Sequence, residues 1–174
     1  DKVLDSKSTA NLIYAVWLSP DGVYKMSQEI KGMVQTSLNL GTAYLDADKL
    51  VYKYLIRSNT AAGKKLLLER VTTFVKHLSG KVVTMSDYPA WEYKRDSQLR
   101  KICVDSFTNV YGHEPEVTSI HAGLECGILA GKMPEVDMIS FGPTLESVHT
   151  PDECMNVASV ERTWEYLMEI LKSL

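Results

Sequence analysis

The sequence predicts a mixed fold, α+β in its first half and α/β in its second, with a change of layer logic near residue 87. Three observations carry this. Residues 34–41 alternate apolar and polar side chains, residues 50–57 are rich in β formers, and the pair reads as an antiparallel hairpin. The helical stretch after it keeps its apolar side chains on one face. Beyond residue 87, short apolar runs alternate with helical ones, the pattern of α/β layers.

In chain order, residues 1–10 are a polar lead-in, and Ser8 or Thr9 suits the cap of a short helix through Leu12, Ile13, Val16 and Trp17. Ser19-Pro20-Asp21-Gly22 ends it with strong turn chemistry. Val34, Thr36, Leu38 and Leu40 form a half-buried strand, residues 46–49 a turn, and residues 50–57 the returning strand. Asn59 or Thr60 opens a helix that buries Leu67, Val71, Phe74, Val75 and Leu78, and Gly80 suits its C-terminal cap. Residues 81–86 follow as a short strand. Asp96 or Ser97 caps a helix with Leu99, Ile102, Cys103 and Val110 on one stripe, closed by Tyr111-Gly112-His113. Residues 117–120 read as a short strand, and residues 136–141 as an apolar strand buried on both faces. Ser159 caps a last helix whose buried face is Val160, Trp164, Leu167, Leu171 and Leu174.

Composition narrows the function classes. The chain has 174 residues, 45% hydrophobic and 24% charged, which are ordinary globular values. A net charge of −3 argues against broad nucleic-acid binding, which needs a concentrated basic face. No apolar run approaches the roughly 18 residues of a membrane span. Three cysteines, Cys103, Cys126 and Cys154, with no CxxC pair, read as free thiols in a reducing compartment rather than a disulfide framework.

Chemistry-bearing residues are sparse. His121-Ala-Gly-Leu-Glu-Cys-Gly127 follows a predicted strand. It is either a tight strand-to-helix turn or a backbone surface for a ligand, and it is no P-loop. His149 stands in a loop stiffened by Pro151 and is either solvated or a held metal ligand. Arg57 ends an apolar strand and is either a solvated strand end or a fork for a carboxylate. His77 and His113 read as structural and loop residues, and Trp91, beside Tyr88 and Tyr93, as packing. A closed zinc site needs three or four ligands, and His149 is the one convincing candidate. By ligand count the chain does not hold a whole active site.

Several stretches together closely resemble the aminoacylhistidine dipeptidase family. They are Pro20-Asp-Gly-Val-Tyr-Lys-Met-Ser27, Gly32-Met-Val-Gln-Thr-Ser-Leu-Asn-Leu-Gly41, Ile56-Arg-Ser58, Asp87-Tyr-Pro-Ala-Trp91, His121-Ala-Gly-Leu-Glu-Cys-Gly127, Asp137-Met-Ile-Ser-Phe-Gly-Pro143 and His149-Thr-Pro-Asp-Glu153. The resemblance runs from about residue 12 to the C-terminus. It implies a two-zinc exopeptidase, with cobalt or manganese as substitute metals, in which a ferredoxin-like lid sandwich interrupts an α/β zinc domain. Residues 1–86 would be the C-terminal part of the lid, and residues 87–174 the C-terminal segment of the catalytic domain.

By the same resemblance His149 matches the last zinc ligand. Arg57 matches the lid arginine on the substrate's C-terminal carboxylate, and Gly123 a glycine whose backbone positions substrate. His121 and Glu125 carry no assigned role. The family's remaining metal ligands and its general base would lie N-terminal to Asp1. The chain is then expected to be a fragment, inactive alone, of a cytoplasmic, homodimeric enzyme that cleaves Xaa-His dipeptides such as β-alanyl-histidine. Its partners would be the dipeptide and the N-terminal half. The rival expectation is a non-catalytic lid-type module for interaction or oligomerisation, built on an exposed strand edge.

Overall fold

A computed structural model of the chain describes residues 3–46, 49–119 and 125–174. Its elements in order are α1 (Ser6–Trp17), β1 (Gly22–Met26), β2 (Val34–Asp46), β3 (Lys49–Ser58), α2 (Ala61–His77), α3 (Gln98–Tyr111), α4 (Glu125–Lys132), β4 (Leu145–Glu146), β5 (Cys154–Met155) and α5 (Val157–Ser173). They fall into two units: Asp1–Tyr93 with Ser119–Gly131, and Lys94–Thr118 with Lys132–Leu174. The mixed α and β character expected from the sequence holds. No helix among the described residues is long and apolar enough to cross a membrane.

In the first unit, β1, β2 and β3 form an antiparallel sheet in that order. The long β2–β3 pair is the predicted hairpin, with Leu38 opposite Ile56 and Ser37 opposite Arg57. Ala47 and Asp48, part of the predicted turn, lie outside the described residues. β1 was not expected. Five residues hold too little alternation to stand out, and the strand depends on its pairing with β2. Asp21 reinforces that pairing, because its carboxylate accepts from the Leu40 amide at 2.7 Å.

Period-two alternation decides what the sheet buries. Leu38 packs with Leu67 and Val71 of α2, and Tyr24, Tyr54, Ile56 and Val75 close around them. Leu38 and Leu67 are fully buried, each worth about 1.5–3 kcal/mol of transfer free energy. The start of α2 sits on a small hydroxyl cluster. Thr36 and Ser58 share a hydrogen bond of 2.9 Å, and Thr60 caps the helix by accepting from the Gly63 amide. A Cβ on Gly63 would stand 2.5 Å from the Thr36 hydroxyl and 2.6 Å from that of Ser58, so only glycine fits there.

Several local expectations are corrected. α1 is capped by Asp5, not Ser8 or Thr9, because the Asp5 carboxylate reaches two amides, those of Lys7 and Ser8. Its buried residue is Ala15, and Ile13, Val16 and Trp17 are exposed. α2 ends on Leu78, and Ser79 takes the left-handed conformation expected of Gly80. Gly80 is needed for space instead, since a Cβ there would meet Val75 at 2.7 Å. Residues 81–86 form no strand, for no neighbour supplies a ladder to their β-prone side chains.

The Asp87–Trp91 stretch packs within the same unit. Lys64 pairs with Asp87 at 2.6 Å and donates to the Tyr88 carbonyl, and Glu92 accepts from the Ala61 amide at the start of α2. Gly127 and Gly131, one turn apart on α4, leave room for Pro89. A Cβ on Gly127 would stand 2.9 Å from the Pro89 carbonyl oxygen, and one on Gly131 2.8 Å from the proline ring.

The second unit is built on α3 against α5. Cys103, Tyr166 and Ile170 form its core, with Leu99, Ile102, Phe107, Tyr111 and Ile139 around them. The Tyr166 hydroxyl donates to the Cys103 carbonyl at 2.9 Å, which satisfies a buried donor. Of the two expected caps, Ser97 and not Asp96 caps α3, and Gly112 ends it at φ 73°. α5 is capped by Asn156 rather than Ser159, whose amide instead donates to the Asn156 side chain. The predicted buried face is also rotated. Ser159, Tyr166 and Ile170 are buried, whereas Val160, Trp164, Leu171 and Leu174 are exposed. The pattern of α5 is apolar over a wide arc, and contact with α3 selects which side is covered.

Residues 117–119 and 136–141 are not in strands; Ile120 lies outside the described residues. Residues 136–141 nevertheless serve α3. Asp137 accepts from the Ser97 hydroxyl at 2.9 Å and from the Leu99 amide at 3.1 Å, with Lys94 3.9 Å away. Desolvation raises the carboxyl's pKa, but these hydrogen bonds and the lysine outweigh it and hold Asp137 below the usual range. A lowered folded pKa gives stability that is complete above the ordinary carboxylate pKa of about 4 and is lost as pH falls through the folded value. Asp137→Asn is therefore expected to cost about 1 kcal/mol in urea unfolding at pH 7. The difference should be smaller at pH 3 than at pH 7. An equal loss at both pH values would refute the charged role.

Candidate functional site

His149 sits at the tip of the β4–β5 hairpin, where Leu145 pairs with Met155 and Glu146 with Cys154. The hairpin is tied to the start of α5. The Asn156 amide donates to the Thr144 carbonyl at 3.0 Å, and the Thr144 amide to the Ser159 hydroxyl at 2.8 Å. Within the tip, the Thr150 hydroxyl and amide both donate to the Ser147 carbonyl, at 2.7 and 3.2 Å. The Glu153 amide donates to the Thr150 carbonyl at 3.1 Å.

Two residues of this turn, Ser147 and His149, hold left-handed backbone at φ 52° and 65°. Non-glycine residues adopt it sparingly, histidine more readily than most. The His149 amide donates to Glu153 Oε2 at 2.7 Å, a charge-assisted bond that fixes the backbone and leaves the ring exposed. Sequence reasoning missed Glu153.

The donor chemistry tests the expected zinc. An exposed imidazole on a hydrogen-bonded turn fits one ligand position. Among the described residues, no group of three or more histidines, cysteines, aspartates or glutamates could hold a metal ion. The described residues therefore offer one ligand and not a whole centre.

Arg57 lies in β3 of the first unit, opposite Ser37, and is exposed. Its neighbours Tyr54 and Ile56 pack against the α2 core, so alternation turns Arg57 to the sheet's other face. Arg57 and His149 belong to different units, each positioned by its own contacts. His121 and Gly123 lie outside the described residues, and Glu125 opens α4.

The pattern of peptidase family M20/M25/M40 matches residues 13–173. The chain belongs to this family. Its sequence is 33% identical over 171 residues to the cytosol non-specific dipeptidase of Escherichia coli (strain K12), covering 98% of this chain and 35% of that protein. The structure matches that of aminoacylhistidine dipeptidase from Vibrio alginolyticus with a TM-score of 0.90 and 32% identity, over 100% of this chain and 36% of that one. Aminopeptidase PepT from Bacillus cereus matches with a TM-score of 0.62 over 94% of this chain and 44% of its own, and at 16% identity it shows the fold alone. The chain thus spans about a third of the length of the first two relatives. The family resemblance read from the motifs holds.

Proposed function

We propose that this M20 chain forms part of a metallodipeptidase that hydrolyses Xaa-His dipeptides such as β-alanyl-histidine. In this reading residues 1–86 are the C-terminal part of its lid, and residues 87–174 the C-terminal segment of its catalytic domain. The observation that carries it is His149, exposed on a clamped left-handed turn inside a family match that spans residues 13–173. His149 would hold one of two zinc ions, with the other ligands supplied by the rest of the family's length. Zinc, when bound, supplies activation of a water for attack on the peptide bond. The general base would also come from outside this chain.

This chain's own residues would bind and orient. Arg57 would take the dipeptide's C-terminal carboxylate in a forked ion pair, and Gly123 would let backbone approach the substrate closely. Holding both ends of a small substrate turns an encounter into an oriented one, which lowers the barrier without bond making. Further elements of the longer fold would pair residues 136–141 into a sheet and cover Trp164, Leu171 and Leu174 on α5, which are exposed here. Cytosolic location belongs to the same proposal, supported by a relative named as a cytosol dipeptidase, and a homodimer is proposed with it.

The test is complementation. The chain is assayed with zinc for β-alanyl-histidine hydrolysis, alone and mixed with the part of the Escherichia coli relative that the match leaves uncovered. Hydrolysis is expected only in the mixture. Cleavage by the chain alone would overturn the ligand count, and no cleavage by a mixture that assembles would favour a non-catalytic module.

A further inference from the structure

We propose that Glu153 is a positioning residue for His149. The proposal rests on His149 being a metal ligand and names what holds it in place. An exposed hairpin tip has few packing contacts to fix a side chain, so its geometry must come from hydrogen bonds. Here the bond that holds residue 149 itself ends on a carboxylate. Glu153 Oε2 accepts from the His149 amide at 2.7 Å and so links residue 153 back to residue 149. The intervening residues are tied as well. The Thr150 hydroxyl accepts from the Asp152 amide at 3.2 Å, and the Thr150 carbonyl accepts from the Glu153 amide at 3.1 Å. Pro151 between them stiffens the link through its fixed φ.

The conformation being held is an uncommon one. His149 at φ 65° would relax to ordinary extended or helical backbone if the clamp were released. Because side-chain direction follows the backbone, that relaxation would swing the imidazole away from its ligand position. The carboxylate engages the amide and not the ring, so its influence on a metal passes through the backbone.

The experiment compares Glu153→Ala with Glu153→Gln, which keeps an acceptor oxygen. Two readouts are taken. One is hydrogen exchange of the His149 amide in the chain by NMR. The other is zinc affinity of the complemented enzyme by competition with a chelator. Glu153→Ala is expected to speed His149 exchange at least about tenfold and weaken zinc by about 10–100-fold, the range seen when outer partners of metal ligands are removed. Glu153→Gln is expected to keep the exchange protection and most of the affinity. Glu153→Asp, which withdraws the carboxylate by one methylene, should weaken both in parallel and replaces the alanine variant if that variant unfolds.

Faster exchange with unchanged zinc affinity would make Glu153 merely structural and overturn the proposal. So would a glutamine variant that loses zinc while keeping exchange protection, since Glu153 would then act on the metal directly. If His149→Asn leaves zinc affinity intact, the reading of His149 itself falls, and this proposal with it. If His149→Asn weakens zinc and the Glu153 variants do not, only the positioning role falls.

Discussion

His149→Asn is expected to reduce β-alanyl-histidine hydrolysis by the complemented enzyme at least about a hundredfold, because even outer partners of metal ligands cost up to that much when removed. Asparagine is the informative replacement. It tolerates the left-handed backbone that His149 adopts at φ 65°, so the turn keeps its shape while the imidazole is lost. The side chain is exposed, and its departure leaves no cavity. The melting temperature should therefore stay close to that of the parent, as for surface changes generally. Zinc content after dialysis, measured by elemental mass spectrometry, should fall together with activity. Full activity and full zinc content in this variant would remove His149 from the metal site.

Arg57→Ala is expected to raise KM for a dipeptide about 10–150-fold with a smaller change in kcat, since a hydrogen bond to a charged group is worth about 1.5–3 kcal/mol. The alternation of β3 keeps the substitution away from the α2 core. Arg57 is exposed, whereas the next residue, Ile56, packs against the Leu38, Leu67 and Val71 core. Arg57→Lys should recover part of the loss at most, because an ammonium cannot form the planar fork that a guanidinium presents to a carboxylate. A dipeptide amide, lacking the carboxylate, should be cleaved equally well or poorly by parent and variant. If the amide is as sensitive to the substitution as the free dipeptide, Arg57 does something other than bind that carboxylate.

Several local patterns were legible where neighbours in sequence settle the structure, although the Asp5 cap of α1 and the Asn156 cap of α5 were missed. The β2–β3 hairpin follows from the alternation of Val34, Thr36, Leu38 and Leu40 and the β-rich run that answers it. The start of α2 at Thr60, the Ser97 cap of α3 and its end at Gly112 follow from the chemistry of those residues. The family too was legible, through ordered motifs that include the Arg57 and His149 segments.

Other features depend on neighbours distant in sequence. Residues 81–86 and 136–141 carry β-prone side chains, yet a strand exists only where another backbone completes its hydrogen bonds, and no described segment does so. On α5 the apolar residues could serve several faces, and packing on Cys103 and Leu99 of α3 buries Tyr166 and Ile170 in place of Trp164 and Leu171.

The candidate site divides in the same way. Sequence alone determined which residue types are present, among them the His149 imidazole in a loop and the Arg57 guanidinium near a strand end. The tertiary structure decided how they are held, by setting Glu153 on the His149 amide and by turning Arg57 away from the α2 core. Residue identity fixes what chemistry a side chain can do, but its direction is set by hydrogen bonds and packing that close only when the chain folds.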